Sequence, residues 1–115
     1  MKKILFIAAT FLISFSSCKK EATVDEVTYE VTLENSTTWH GAYLDKDAQV
    51  IGITGAPTNW NYRFKNTNNL IVVTLNAYSD GLGAAADANM KIYVNGTVVA
   101  SGKSSISPQI QYQFP

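Results

Sequence analysis

Residues 27–34 read Val-Thr-Tyr-Glu-Val-Thr-Leu-Glu. Val27, Tyr29, Val31 and Leu33 fall on one side of a two-residue repeat, and Thr28, Glu30, Thr32 and Glu34 on the other. In an extended chain successive side chains point to opposite faces, so this order describes a strand with one face buried and one wet. A helix would scatter the same residues around its circumference. The pattern returns twice. Trp60, Tyr62 and Phe64 alternate with Asn61, Arg63 and Lys65; Ile110, Tyr112 and Phe114 alternate with Gln109, Gln111 and Gln113.

The stretches between these runs carry turn chemistry. Asn95-Gly96 stands between two strand-like runs, Met90–Val94 and Thr97–Ala100. Both central residues of a type I′ turn need positive φ, which Asn and Gly accept most readily. The spacing predicts a hairpin with Ile92 opposite Val99 and Tyr93 opposite Val98. Further strands are predicted over Trp39–Leu44, Val50–Thr54 (broken by Gly55-Ala56-Pro57-Thr58) and Leu70–Tyr78, the last nearly continuous in apolar and β-branched residues, as in a central strand. Asn35–Thr38, Asp45–Asp47 and Asn66–Asn69 read as turns, and Ser79–Asp87, with two glycines, as a loop. The expected fold is all-β: an antiparallel two-sheet, immunoglobulin-like sandwich of about seven strands, with a small barrel as the alternative. Its core is predicted to include Trp60, Tyr62, Phe64, Ile71, Val73, Leu75 and Ile92.

At 115 residues the chain has room for one such domain. A single cysteine, Cys18, excludes an internal disulfide and any Cys-rich zinc site. Lys+Arg and Asp+Glu both number 9. Lys2 and Lys3 belong to the extreme N-terminus, so the remainder is mildly acidic and offers no basic patch for nucleic acid.

Cys18 has a distinctive setting. Met1-Lys2-Lys3 is a cationic start, and Ile4–Phe15 is apolar apart from Thr10 and Ser14. That run is shorter than the roughly 20 residues a membrane-spanning helix needs, and fits the apolar core of a signal peptide. Phe15-Ser16-Ser17-Cys18 resembles a bacterial lipobox, and the charged residues after it resemble the start of many Bacteroidota lipoproteins. The resemblance implies cleavage before Cys18 and acyl chains on that cysteine. The expected organisation is a signal peptide over 1–17, a lipidated cysteine and polar tether over 18–26, and the β-sandwich over 27–115. The expected location is the cell envelope, lipid-anchored through Cys18 to a membrane, such as the periplasmic or surface face of an outer membrane.

No catalytic pattern stands out. His40 is the sole histidine and no Gly-x-Ser-x-Gly elbow accompanies it. Asp45 and Asp47 lack the spacing of a calcium loop. Asp80 and Asp87 flank a loop that offers no fixed carboxylate separation. No phosphate loop or dinucleotide fingerprint is present, so no cofactor is expected. Aromatics remain: Trp60 belongs to an apolar face, whereas Trp39 adjoins a turn and fits either core or surface. Trp39 and Tyr43 are the candidate ligand contacts, with the Gln109, Gln111 and Gln113 row as a polar face or edge that could meet a partner.

Three stretches in order, Val27–Thr32, Pro57–Trp60 and Ile92–Val99, resemble the MmpS family of mycobacterial envelope proteins over most of residues 27–112. That resemblance implies a β-sandwich outside the inner membrane, and a role as accessory to large lipid and siderophore exporters of the resistance-nodulation-division type. It supplies no catalytic residues. The expectation is therefore a non-enzymatic, membrane-anchored interaction module with an envelope protein partner; the alternative is a surface lipoprotein that binds glycans or other ligands through exposed aromatics.

Overall fold

The computed structural model describes residues 24–82 and 85–115. The expected signal peptide over 1–17 and Cys18 lie outside them. The described chain forms eight strands: β1 (Glu26–Glu34), β2 (Thr38–Leu44), β3 (Val50–Pro57), β4 (Trp60–Lys65), β5 (Val72–Ser79), β6 (Asp87–Val94), β7 (Thr97–Lys103) and β8 (Gln109–Gln113). Two antiparallel sheets result, in the orders β4-β1-β6-β7 (sheet A) and β3-β2-β5-β8 (sheet B). This is the predicted sandwich, with eight strands. Only the β2–β3 and β6–β7 links stay within one sheet; every other link crosses between sheets, which interlocks the two layers.

The core lies between the inward rows of both sheets. Val27, Tyr29 and Val31 of β1 are fully buried, as are Val73, Leu75 and Ala77 of β5 and Ile92 of β6. Tyr29 is the largest polar side chain among them, and its hydroxyl donates to the Leu44 carbonyl at 2.6 Å across the sandwich. That bond satisfies the one polar atom that burial would otherwise strand. Burial, with the neighbouring Tyr62 next in effect, pushes the phenol's pKa far above its ordinary value.

Local turn chemistry sets the strand ends. Asn35, Asn59, Asn69 and Asn95 all hold positive φ, between 53° and 61°. Asparagine tolerates this region because its short amide bonds locally to the backbone. Asn95 also accepts from the Glu26 amide and donates to Asp25, each at 2.9 Å, which ties the β6–β7 turn to the start of β1.

Four expectations need correction. Tyr93 does face Val98, but Ile92 faces Ala100, because β7 carries one extra residue at this point and the register shifts. β3 does not stop at Thr54: it runs to Pro57 through an irregularity around Thr54-Gly55, where Gly55 takes φ 63°. An extra residue with positive φ is the signature of a bulge, which keeps a strand going. Ile71 is 70% exposed and outside the core, since the strand starts one residue later, at Val72. Trp60 and Tyr62 pack on the core but are half-buried, because β4 is an edge strand and leaves their flanks open.

Candidate interaction surfaces

The predicted contact residues do not form one site. Trp39 is fully buried, so it is no surface contact in this fold. The β2 register turns it inward opposite Ala56, and its indole N–H donates to the Pro57 carbonyl at 3.2 Å. A bonded N–H removes the usual penalty for burying tryptophan. Tyr43 is half-buried in an aromatic ladder between the sheets. Its ring lies 4.7 Å from Tyr62 and 5.3 Å from Trp60, and Trp60 in turn meets Trp39 edge-on at 5.2 Å. Burial raises the Tyr43 phenol. Gln109, Gln111 and Gln113 are exposed on the outer side of β8, apart from this ladder.

His40 is exposed and its Nδ1 lies 2.7 Å from Asp80 Oδ1. The Thr38 hydroxyl donates to the other Asp80 oxygen at 2.9 Å. The bonds to His40 and then Thr38 hold the Asp80 carboxyl below its ordinary range. Hydroxyl and imidazole both turn to the carboxylate rather than to each other, so the trio lacks the base-to-nucleophile contact that a hydrolytic site needs. Asp87 belongs to a separate network: it accepts from the Ser105 hydroxyl at 2.8 Å, the Ser105 amide at 2.9 Å and the Ser104 hydroxyl at 2.9 Å. Asp45 takes the amides of Asp47 and Gln49, each at 2.9 Å, and closes its own turn.

Charge is segregated between the two sheets. Every Asp, Glu, Lys and Arg within a strand lies in sheet A: Glu26, Glu30, Glu34, Arg63, Lys65, Asp87, Lys91 and Lys103. The strands of sheet B contain none. Across the strands of sheet A, Glu26 stands opposite Lys65 and Glu30 opposite Lys91, whereas Glu34 stands opposite Asp87 and pairs instead with Lys103 at 3.5 Å. Single alternating strands carry no hint of this, because sheet membership is not local information.

The edges are also differentiated. β4 presents Arg63 and Lys65, β3 and β7 are bulged, and β8 is five residues long between Pro108 and Pro115. Charges, bulges, short length and prolines are the devices that stop edge-to-edge pairing. The Gln row of β8 is thus better placed to act as a face than as a pairing edge.

No curated protein matches the chain. A family model does, over residues 13–110, and its description is Mycobacterium membrane protein. The chain belongs to this family. The match begins before Cys18 and ends within β8, so it takes in nearly the whole sandwich. Membership in the Mycobacterium membrane protein family agrees with the MmpS resemblance and makes this a membrane-associated protein of that kind.

Proposed function

We propose that the protein is a membrane-anchored, non-enzymatic interaction module of the cell envelope, accessory to a transporter of the resistance-nodulation-division type. The observation that supports this is the family match, which joins the segment around Cys18 and the sandwich in one unit. The anchor is a lipid on Cys18, which sets the domain close to the membrane through the short tether over 19–26. Blunted edges favour contact through faces and loop ends over strand addition. The charged side chains of sheet A suit such a contact, since complementary fields steer encounter and fix orientation.

The test is cross-linking in intact cells of the native host, followed by purification of the full chain through a C-terminal tag. Recovery of a transporter of that class, lost on Lys91→Glu with Glu30→Lys held in reserve as the charge-restoring partner, is the expected result. Recovery of no transporter under conditions that capture a known envelope complex overturns the reading.

A further inference from the structure

The chain enters the sandwich at one end, and hydrogen bonds gather several segments there. The backbone amide of Asn66 donates to the Asp25 carbonyl, that of Asn95 to the Glu26 carbonyl and that of Phe114 to the Ile71 carbonyl, each at 2.8 Å. The Asn68 side chain donates to the Lys46 carbonyl, also at 2.8 Å. The β2–β3 turn, the β4–β5 loop, the β6–β7 turn and the residues after β8 thus meet beside the start of β1. Among Asp25, Asn69, Leu70, Ile71 and Phe114 they leave a hollow of about 310 Å³. Ile71 lines this hollow while largely exposed, and Val24 and Val50 are exposed at the same end. At the other end β1 finishes at Glu34, opposite Asp87. The loops that carry the exposed Leu82 and Ile106 lie there, before β6 and after β7.

We infer that the entry end rests on the bilayer surface, with Val24 and Ile71 entering the headgroup layer. The placement depends on the lipid anchor proposed at Cys18. Only residues 19–23 lie between Cys18 and Val24. Even fully extended, a segment of that length reaches about 20 Å. Leu82 and Ile106 lie a strand length further away, about 25 Å for eight residues. The tether therefore holds the entry end against the membrane and leaves the far loops free for a protein partner. Exposed aliphatic side chains are released from water when they enter the boundary between headgroups and acyl chains, which favours the contact. Charge does not drive it. Asp25, Glu26, Asp45 and Asp47 share this end with Lys46 and Lys65, so there is no positive excess to draw anionic lipid. The same carboxylates limit its depth, because a charge is costly to take out of water. The contact is therefore shallow and apolar.

The experiment uses the full lipidated chain, purified from membranes and reconstituted into phosphatidylcholine vesicles, with a bimane label on Ile71→Cys or Ile106→Cys. The two positions are matched: both are isoleucine, exposed by 70% and 83%, at opposite ends of the sandwich. Phosphatidylcholine that carries a nitroxide near its headgroup should quench the Ile71 label roughly threefold more strongly than the Ile106 label, since only the first sits at headgroup depth. Val24→Cys, a second position at the entry end, should behave like Ile71→Cys. Replacing part of the lipid with anionic phosphatidylglycerol should leave the ratio unchanged. Native melting temperatures for the variants confirm that each folds. Equal quenching at the two ends, or stronger quenching at Ile106, in vesicles that carry the chain on flotation overturns the membrane contact and leaves the anchor standing. So does quenching at Ile71 that appears only with anionic lipid, or a cross-linked protein or second copy seated on Ile71. A native chain that does not float with the vesicles, or whose Cys18 takes up the bimane reagent, overturns the lipid anchor and the membrane contact with it.

Discussion

Gly41 of β2 lies against the backbone of Asn76 in β5: a Cβ on Gly41 would overlap the Asn76 carbonyl oxygen. The obstacle is main chain at the centre of sheet B, so no side chain can swing away to make room. Gly41→Ala is expected to destabilise the domain by about 2–3 kcal/mol, as overpacking does. For a domain of this size that lowers the melting temperature by roughly 10–20 °C. Differential scanning calorimetry would read it, and an unchanged midpoint would mean the two strands are further apart.

Two turns make opposite predictions about positive φ. Gly96 takes φ 82° beside Asn95, and a β-branched residue resists that region. Gly96→Val should cost about 1–2 kcal/mol. Ala48 takes φ 61° in the turn closed by the Asp45 and Gln49 backbones. There glycine relieves strain, and Ala48→Gly should be neutral or stabilising by up to about 1 kcal/mol, despite glycine's larger unfolded-state entropy. Urea titration of both variants checks the signs.

Asp87 sets an acid limit. The hydroxyl and amide of Ser105, then the hydroxyl of Ser104, hold its carboxyl below the ordinary carboxylate range. A depressed carboxyl contributes stability that is present above the unfolded value, about 4, and is lost as pH falls through the lower folded value. The melting temperature should therefore fall more steeply below about pH 4 in the native protein than in Asp87→Asn. Parallel pH profiles for the two would remove Asp87 from the account.

The proposed lipid anchor on Cys18 makes a direct prediction. Acyl chains contribute roughly 0.8 kcal/mol per buried CH₂, and more than one chain makes a stable anchor. Cys18→Ala should leave an unprocessed precursor or shift the protein out of the membrane fraction, read by immunoblot after fractionation. Normal processing with full membrane retention would sink the lipid anchor.

Trp39 and Trp60 separate by environment. Trp39 is fully buried and Trp60 is half-buried on an edge strand. Acrylamide should quench Trp39→Phe, which leaves only Trp60, more strongly than Trp60→Phe. Equal quenching would contradict the inward register of β2.

The alternation at Val27–Leu33, Trp60–Phe64 and Ile110–Phe114 was enough to determine the strands and the all-β class, because a two-residue repeat and its buried face are properties of neighbouring residues. Asn95-Gly96 determined the hairpin for the same reason: φ preference is local. Tertiary structure decided what depends on distant partners. It buried Trp39, which local sequence left open, by setting it against Ala56 and Trp60. It moved Ile92 from Val99 to Ala100 through an extra residue in β7, and carried β3 past Thr54 through a bulge at Gly55. It also sorted the strands into one charged sheet and one uncharged sheet. A strand's pattern says which of its faces is wet but not which strands lie beside it, so the row Gly52, Ala42, Asn76 and Gln109 across sheet B exists only once four separated segments have paired.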